Sequence, residues 1–171
     1  TKKVKKLIII STDKAAYPTS DMGKSKKRAE DLALKFNDKV KKPVTKISCV
    51  RFGNVLGSRG SVIPRFIKQI NSKKTIHLSS KNMTRFVMTI EDAVRLIFKS
   101  LKLMKGNDIF IFKSMYSIKI LDLAEVLKKF YSEYIKNINI EIIGVNVKEK
   151  FSEILMTEKE YKSSREKNDM Y

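Results

Sequence analysis

With 171 residues, 42% of them hydrophobic, the chain is long enough to bury a core and too apolar to stay disordered. Lysine and arginine total 37 against 18 acidic residues, a formal charge of +19, but the lysines are scattered through every segment without an aromatic-plus-basic pattern. The excess therefore reads as composition bias with some contribution from anionic ligands, not as a nucleic-acid-binding surface. A single cysteine, Cys49, excludes an internal disulfide and suits the cytoplasm. One cysteine and one histidine, His77, make a zinc site not credible. No run approaches the roughly 20 apolar residues of a membrane span, and no signal-peptide pattern is present.

The chain opens with a charged lead-in and then an apolar, β-branched run, Leu7-Ile8-Ile9-Ile10, which reads as a buried strand. It stops at Ser11-Thr12-Asp13-Lys14, a polar cluster where a strand of an open α/β sheet would present its carboxyl end. After a loop with Pro18 a helix is expected from Asp21 to about Asn37 or Lys39, with Ala29, Leu32, Ala33, Phe36 and Val40 at helical spacing and Pro43 closing the region. Met22 and Lys26, four apart, share one face of that helix. A second strand is expected over 44–52, then a glycine-containing loop over 53–61 and a short helix over 62–70 presenting Phe66, Ile67 and Ile70.

Short strands follow at 76–78 and 85–88. Thr89 with Asp92 reads as a capping box opening a helix whose buried stripe is Ala93, Leu96, Ile97, Leu101 and Met104. A strand over 108–112, an amphipathic helix over 120–134 and a last strand over 138–143 complete the pattern. The tail from Lys148 is mostly charged, with one apolar patch at Phe151, Ile154 and Leu155. Alternating strands and helices indicate an α/β fold.

The stretch from Ile10 to Glu30, with Ser11-Thr12-Asp13-Lys14 followed by Met22-Gly23-Lys24-Ser25-Lys26, resembles the active-site segment of the extended short-chain dehydrogenase/reductases. Within them it is most similar to the CapD-like polysaccharide biosynthesis proteins, which are UDP-N-acetylglucosamine 4,6-dehydratases. The superfamily's Tyr-x-x-x-Lys motif keeps its lysine as Lys26, while the tyrosine position is Met22, a replacement seen in this dehydratase branch. Tyr17 does not rescue the motif, because four residues on stands Asp21. Two further blocks carry the resemblance: Arg51 through Pro64, similar to the family's nucleotide-sugar loop, and Met83-Thr84-Arg85-Phe86-Val87-Met88-Thr89. A fourth block is degraded to Glu149 and Lys150.

The resemblance implies a partial Rossmann-like domain, with 1–60 holding the active-site strand, helix and next strand, and 61–171 mainly the nucleotide-sugar-binding portion. It implies NAD(P) as cofactor, a UDP-sugar as substrate, and a homo-oligomer in the full-length family. Asp13 then protonates the departing C6 hydroxyl, Lys14 removes the C5 proton, Thr12 holds the C4 hydroxyl, and Met22 shapes the pocket. Ser11 and Lys26 are cofactor contacts, Lys26 at the nicotinamide ribose, and Asn54, Ser61, Val62, Arg85 and Glu149 are substrate contacts. No Gly-x-Gly-x-x-Gly turn occurs: Gly53, Gly57 and Gly60 have the wrong spacing. The chain is accordingly expected to correspond to the family's second half, as a fragment, split product or remnant. A basic nucleic-acid-binding protein is the rival from another class, and C4 epimerisation is the rival chemistry.

Overall fold

A computed structural model describes residues 4–39 and 44–171; Val40 and Pro43 fall outside the described residues. The chain divides into two compact units.

The first unit takes the described residues to Gly53, then Met88–Met115 and Ile154–Tyr171. Its sheet has the order β1 (Lys6–Thr12), β2 (Lys46–Phe52), β6 (Ile109–Phe110), all parallel. Parallel neighbours need a crossover, and α1 (Asp21–Lys39) supplies it between β1 and β2. The middle strand, β2, is buried almost throughout, as expected of a parallel strand covered on both faces. At the edge, Leu7 and Ile10 of β1 stay partly exposed. Helices α1 and α3 (Ile90–Leu103) both pack on β1 and β2.

The expected capping box opens α3: Thr89 Oγ1 accepts from Asp92 N at 3.0 Å and Asp92 Oδ2 from Thr89 N at 3.2 Å. The apolar stripe read for α1 is only half right. Ala33 is buried, but Leu32 and Phe36 are exposed, and the face turned inward carries Gly23 and Glu30 instead. A charged residue took a place that periodicity assigns to apolar ones, because an arginine waits for it on the sheet.

The tail also departs from expectation. It forms a short helix, α5 (Glu158–Ser163), opened by a Thr157–Glu160 capping box. Phe151 and Ile154 of the expected apolar patch are exposed. What fastens the tail is a backbone exchange between Ile111 and Tyr171 (3.2 and 3.0 Å), a buried Met170, and Lys99 Nζ on Asp169 at 2.7 Å.

The second unit takes Asn54–Val87 and Tyr116–Glu153. It holds a sheet of order β3 (Asn54–Val55), β5 (Thr84–Met88, all but its last residue in this unit), β7 (Tyr116–Lys119) and a parallel pair of β4 (Thr75–Leu78) with β8 (Asn139–Ile142). Helices α2 (Val62–Lys73) and α4 (Ile120–Tyr131) close its core around Phe66, Ile70, Ile76, Leu78 and Ile120. The strand β7 has no counterpart in the periodicity: it is mostly exposed, so it shows no apolar run, and pairing with β5 alone defines it. Among the described residues, no helix is long and apolar enough to cross a membrane.

Candidate active site

In the first unit, β1 ends at Thr12 and the chain turns through one 3₁₀ turn, Asp13–Ala15. Thr12 caps that turn, its Oγ1 accepting from Lys14 N at 3.5 Å, while its hydroxyl donates to Asp13 Oδ1 at 2.8 Å. Lys14 Nζ donates to the same Oδ1 at 2.9 Å. Asp13 is fully buried, and its other oxygen, Oδ2, has no hydrogen-bond partner among the described residues. A buried polar atom left bare costs about 1–3 kcal/mol, so a water or a further donor there would be favoured.

Opposite this turn begins α1, whose Ser20 accepts from Gly23 N at 3.1 Å, the cap expected of a serine before a helix. Gly23 is buried against the turn: a Cβ built there would lie 2.7 Å from the Lys14 carbonyl oxygen. The first turn of α1 can approach this closely only because residue 23 has no side chain. Met22 is 47% exposed, and Lys26 Nζ donates to the Ile10 carbonyl of β1 at 3.0 Å. An ammonium has three donors, so Lys26 keeps capacity for a further oxygen. Tyr17 accepts from Glu158 N at 3.4 Å.

Ser11 does not point outward. Its hydroxyl is buried and donates to Glu30 Oε1 at 2.6 Å. Glu30, fully buried on α1, also accepts Arg51 Nε on Oε1 at 2.9 Å and Arg51 Nη2 on Oε2 at 2.8 Å. Arg51 completes its donors on Glu160 (Nη1 to Oε2, 2.9 Å; Nη2 to Oε1, 2.8 Å) and on the Leu155 carbonyl (Nη1, 2.8 Å). All five guanidinium N–H groups are thereby used. Burial alone would favour the neutral guanidine, but the two carboxylates outweigh it and hold Arg51 firmly protonated. Burial likewise works against the Glu160 carboxylate, yet its bonds to Arg51 and to the Thr157 amide bring its pKa down to about 2. Beside this cluster, burial and the Glu30 charge push the Cys49 thiol up to about 12, which leaves it without thiolate chemistry.

Sequence reasoning gave Glu30, Arg51 and Glu160 no role. The signal for Arg51 was there: a charge inside the apolar run Ile47-Ser48-Cys49-Val50-Arg51-Phe52 demands a buried partner.

In the second unit, Ser61 stands at the N-cap of α2 and Val62 opens the helix. Ser61 makes no side-chain cap bond, and its buried Oγ is the other side-chain oxygen without a partner among the described residues. Gly57 and Gly60, at φ 71° and 75°, occupy the left-handed region, which explains two of the loop glycines. Asn54 lies in β3. Arg85 Nη1 donates to the carbonyls of Thr84 at 2.6 Å and Phe151 at 3.2 Å. Glu149 is exposed and accepts from Asn146 N at 3.3 Å. His77, on β4, sits 3.5 Å from Glu141.

The polysaccharide biosynthesis protein family model matches residues 1–171. The chain belongs to that family. Its fold is the Rossmann-like α/β fold of the extended short-chain dehydrogenase/reductases, as the resemblance implied. It is 40% identical over 157 residues to the capsular polysaccharide biosynthesis protein CapD of Staphylococcus aureus, covering 92% of this chain and 26% of that protein. It is 39% identical over 171 residues to a UDP-glucose 4-epimerase of Rickettsia conorii, covering 99% of this chain and 48% of that one. The X-ray structure of Pen from Bacillus thuringiensis superposes with a TM-score of 0.90 at 39% identity, over 98% of this chain and 52% of Pen. The chain thus spans about half the length of Pen and of the epimerase and about a quarter of CapD.

Proposed function

We propose that this chain carries the acid–base and sugar-nucleotide-binding residues of an NAD(P)-dependent UDP-N-acetylglucosamine 4,6-dehydratase, in the cytoplasmic synthesis of surface-polysaccharide precursors. One observation supports the reading above all. The two buried oxygens left without partners among the described residues, Asp13 Oδ2 and Ser61 Oγ, both belong to residues that the family motifs single out for chemistry and for substrate.

Asp13 and Lys14 share one exchangeable proton across their 2.9 Å contact. Moving it from Nζ to the carboxyl leaves the charge of the pair unchanged and yields a neutral amine beside a protonated acid. Lys14 then takes the C5 proton of the 4-keto sugar, and Asp13 delivers the proton it received to the departing C6 oxygen, which leaves as water. The Thr12 hydroxyl holds the C4 oxygen. Lys26, tethered to the Ile10 carbonyl with donors to spare, fits the ribose of a nicotinamide nucleotide. Such a cofactor, when bound, supplies reversible hydride transfer. Ser61, Val62, Asn54 and Arg85 take the nucleotide and diphosphate, where a planar guanidinium offers paired donors.

The Rickettsia relative named as a 4-epimerase supports a second reading, C4 epimerisation. Met22 weighs against it, because thioether sulfur cannot exchange the proton that the superfamily's tyrosine exchanges.

The test is NMR of UDP-N-acetylglucosamine incubated with the chain and NAD. A 4-keto-6-deoxy product is expected, falling at least about 100-fold with Asp13→Asn. A C4 epimer that keeps its C6 hydroxyl would overturn dehydration in favour of epimerisation, and no product at all would mean that this chain, which spans about half the length of Pen and of the epimerase, does not complete the reaction alone.

A further inference from the structure

Ser11 and Arg51 are direct partners in the β1–β2 register, and α1 lays Glu30 over both. The contacts form a continuous line: Glu160 of α5 to Arg51 on β2, Arg51 to Glu30 on α1, and Glu30 to Ser11 on β1. Ser11 is the penultimate residue of β1, two positions before Asp13.

The Arg51–Glu30 pair already ties α1 to β2. The short Ser11 bond adds something different, a fixed point on β1 itself. Side chains alternate along a strand, so fastening Ser11 to the buried face turns Thr12 to the other face. There the Thr12 hydroxyl reaches Asp13 Oδ1 at 2.8 Å. On the far side of the turn, the Lys14 carbonyl rests against Gly23 of the same helix that carries Glu30. The turn bearing Asp13 and Lys14 is gripped at both ends by α1.

We propose that Glu30 and Arg51, anchored by Glu160 of α5, are positioning residues that fix the end of β1 and so orient Asp13 and Lys14 for proton transfer. Orientation for that transfer rests on the dehydratase reading above; the grip on the turn does not. A carboxyl-terminal helix that contributes no reacting group thereby governs the geometry of those that do.

Ser11→Ala tests this most cleanly, since it cuts the line at β1 and leaves the Glu30–Arg51–Glu160 cluster whole. Backbone amide exchange at Lys14 and Ala16 is expected to quicken about tenfold or more, with exchange in β2 unchanged. Turnover is expected to fall about ten- to a hundredfold with the KM for UDP-sugar unaltered, as when a reacting group is slightly misplaced. Glu30→Gln, which keeps an oxygen for Ser11 while loosening the hold of Arg51, gives the same changes at smaller size. Exchange in the turn that stays at the wild-type rate in both variants overturns the proposal, as does quickening spread evenly through the unit, which would make the cluster a fold element only. Weakened NAD binding in Ser11→Ala with an unchanged turn also overturns it, and returns Ser11 to the cofactor. Exchange reads the turn without turnover, so a chain that fails to convert UDP-N-acetylglucosamine still decides the positioning claim.

Discussion

Two carboxylates in the first unit, Glu30 and Asp13, are both fully buried, yet their surroundings differ. Glu30 has each oxygen engaged, with three donors from Ser11 and Arg51 and Lys27 Nζ at 4.0 Å. Asp13 has two donors crowded onto Oδ1 and, among the described residues, none on Oδ2. Burial alone therefore says nothing about role. A carboxylate whose lone pairs are filled by the protein is a fixed part of the fold, whereas one with a bare oxygen can still accept a hydrogen bond from a further group.

The largest expected effect comes from unfilling Glu30. Arg51→Met would leave a buried carboxylate without its counter-charge, and breaking a buried pair on one side costs about 3–5 kcal/mol. Chemical denaturation of the variant should show that loss. The double variant Glu30→Met with Arg51→Met should recover much of it, since removing both charges also removes the unpaired one. A loss below about 1 kcal/mol for Arg51→Met would mean that Glu30 finds another partner, and the contrast with Asp13 would weaken.

A smaller effect is expected where helix and turn meet. Alanine is the better helix former by about 1 kcal/mol, so Gly23→Ala should stabilise α1 on propensity alone. The Cβ would nevertheless stand 2.7 Å from the Lys14 carbonyl oxygen, a backbone atom with little freedom to retreat. Overpacking of this kind costs about 1–3 kcal/mol, so a net fall in thermal midpoint is expected. A midpoint that rises instead would show that the turn yields, and that Asp13 is held less tightly than Glu30.

Much of this was legible in the chain. The strand at Leu7-Ile8-Ile9-Ile10, the helix from Asp21, the loop glycines and the Thr89–Asp92 box all follow from local rules that burial does not override. The motif residues Asp13 and Ser61 could be picked out because the family pattern marks them. What lay beyond reach was long-range: Arg51 meets Glu30 across 21 positions and Glu160 across 109, and no local spacing reports such pairs. The same holds for β7, whose pairing with β5 bridges 35 positions from Thr84 to Lys119 and leaves no apolar alternation behind. The Thr157–Glu160 box, by contrast, was readable as Ser/Thr-x-x-Glu, and the charged run around it concealed it.

The smallest expected effect concerns acid. Glu160 falls from the ordinary carboxyl value of 4.5 to about 2 in the folded chain, because its bonds to Arg51 and the Thr157 amide outweigh burial. A carboxyl depressed on folding contributes stability that is complete above its unfolded value and is lost as pH falls toward its folded one. The Glu160 contribution should thus be intact above about pH 5 and drain away down to about pH 2, amounting to about 1–2 kcal/mol once solvent screening of a partly exposed carboxylate is counted. Denaturation curves across that range should show a sloping acid limb, and Glu160→Gln should lie below wild type at pH 7 and converge with it near pH 2. Parallel curves at all pH values would mean that Arg51 is held by Glu30 and the Leu155 carbonyl alone. In that case α5 would have no electrostatic hold on the buried Arg51–Glu30 pair.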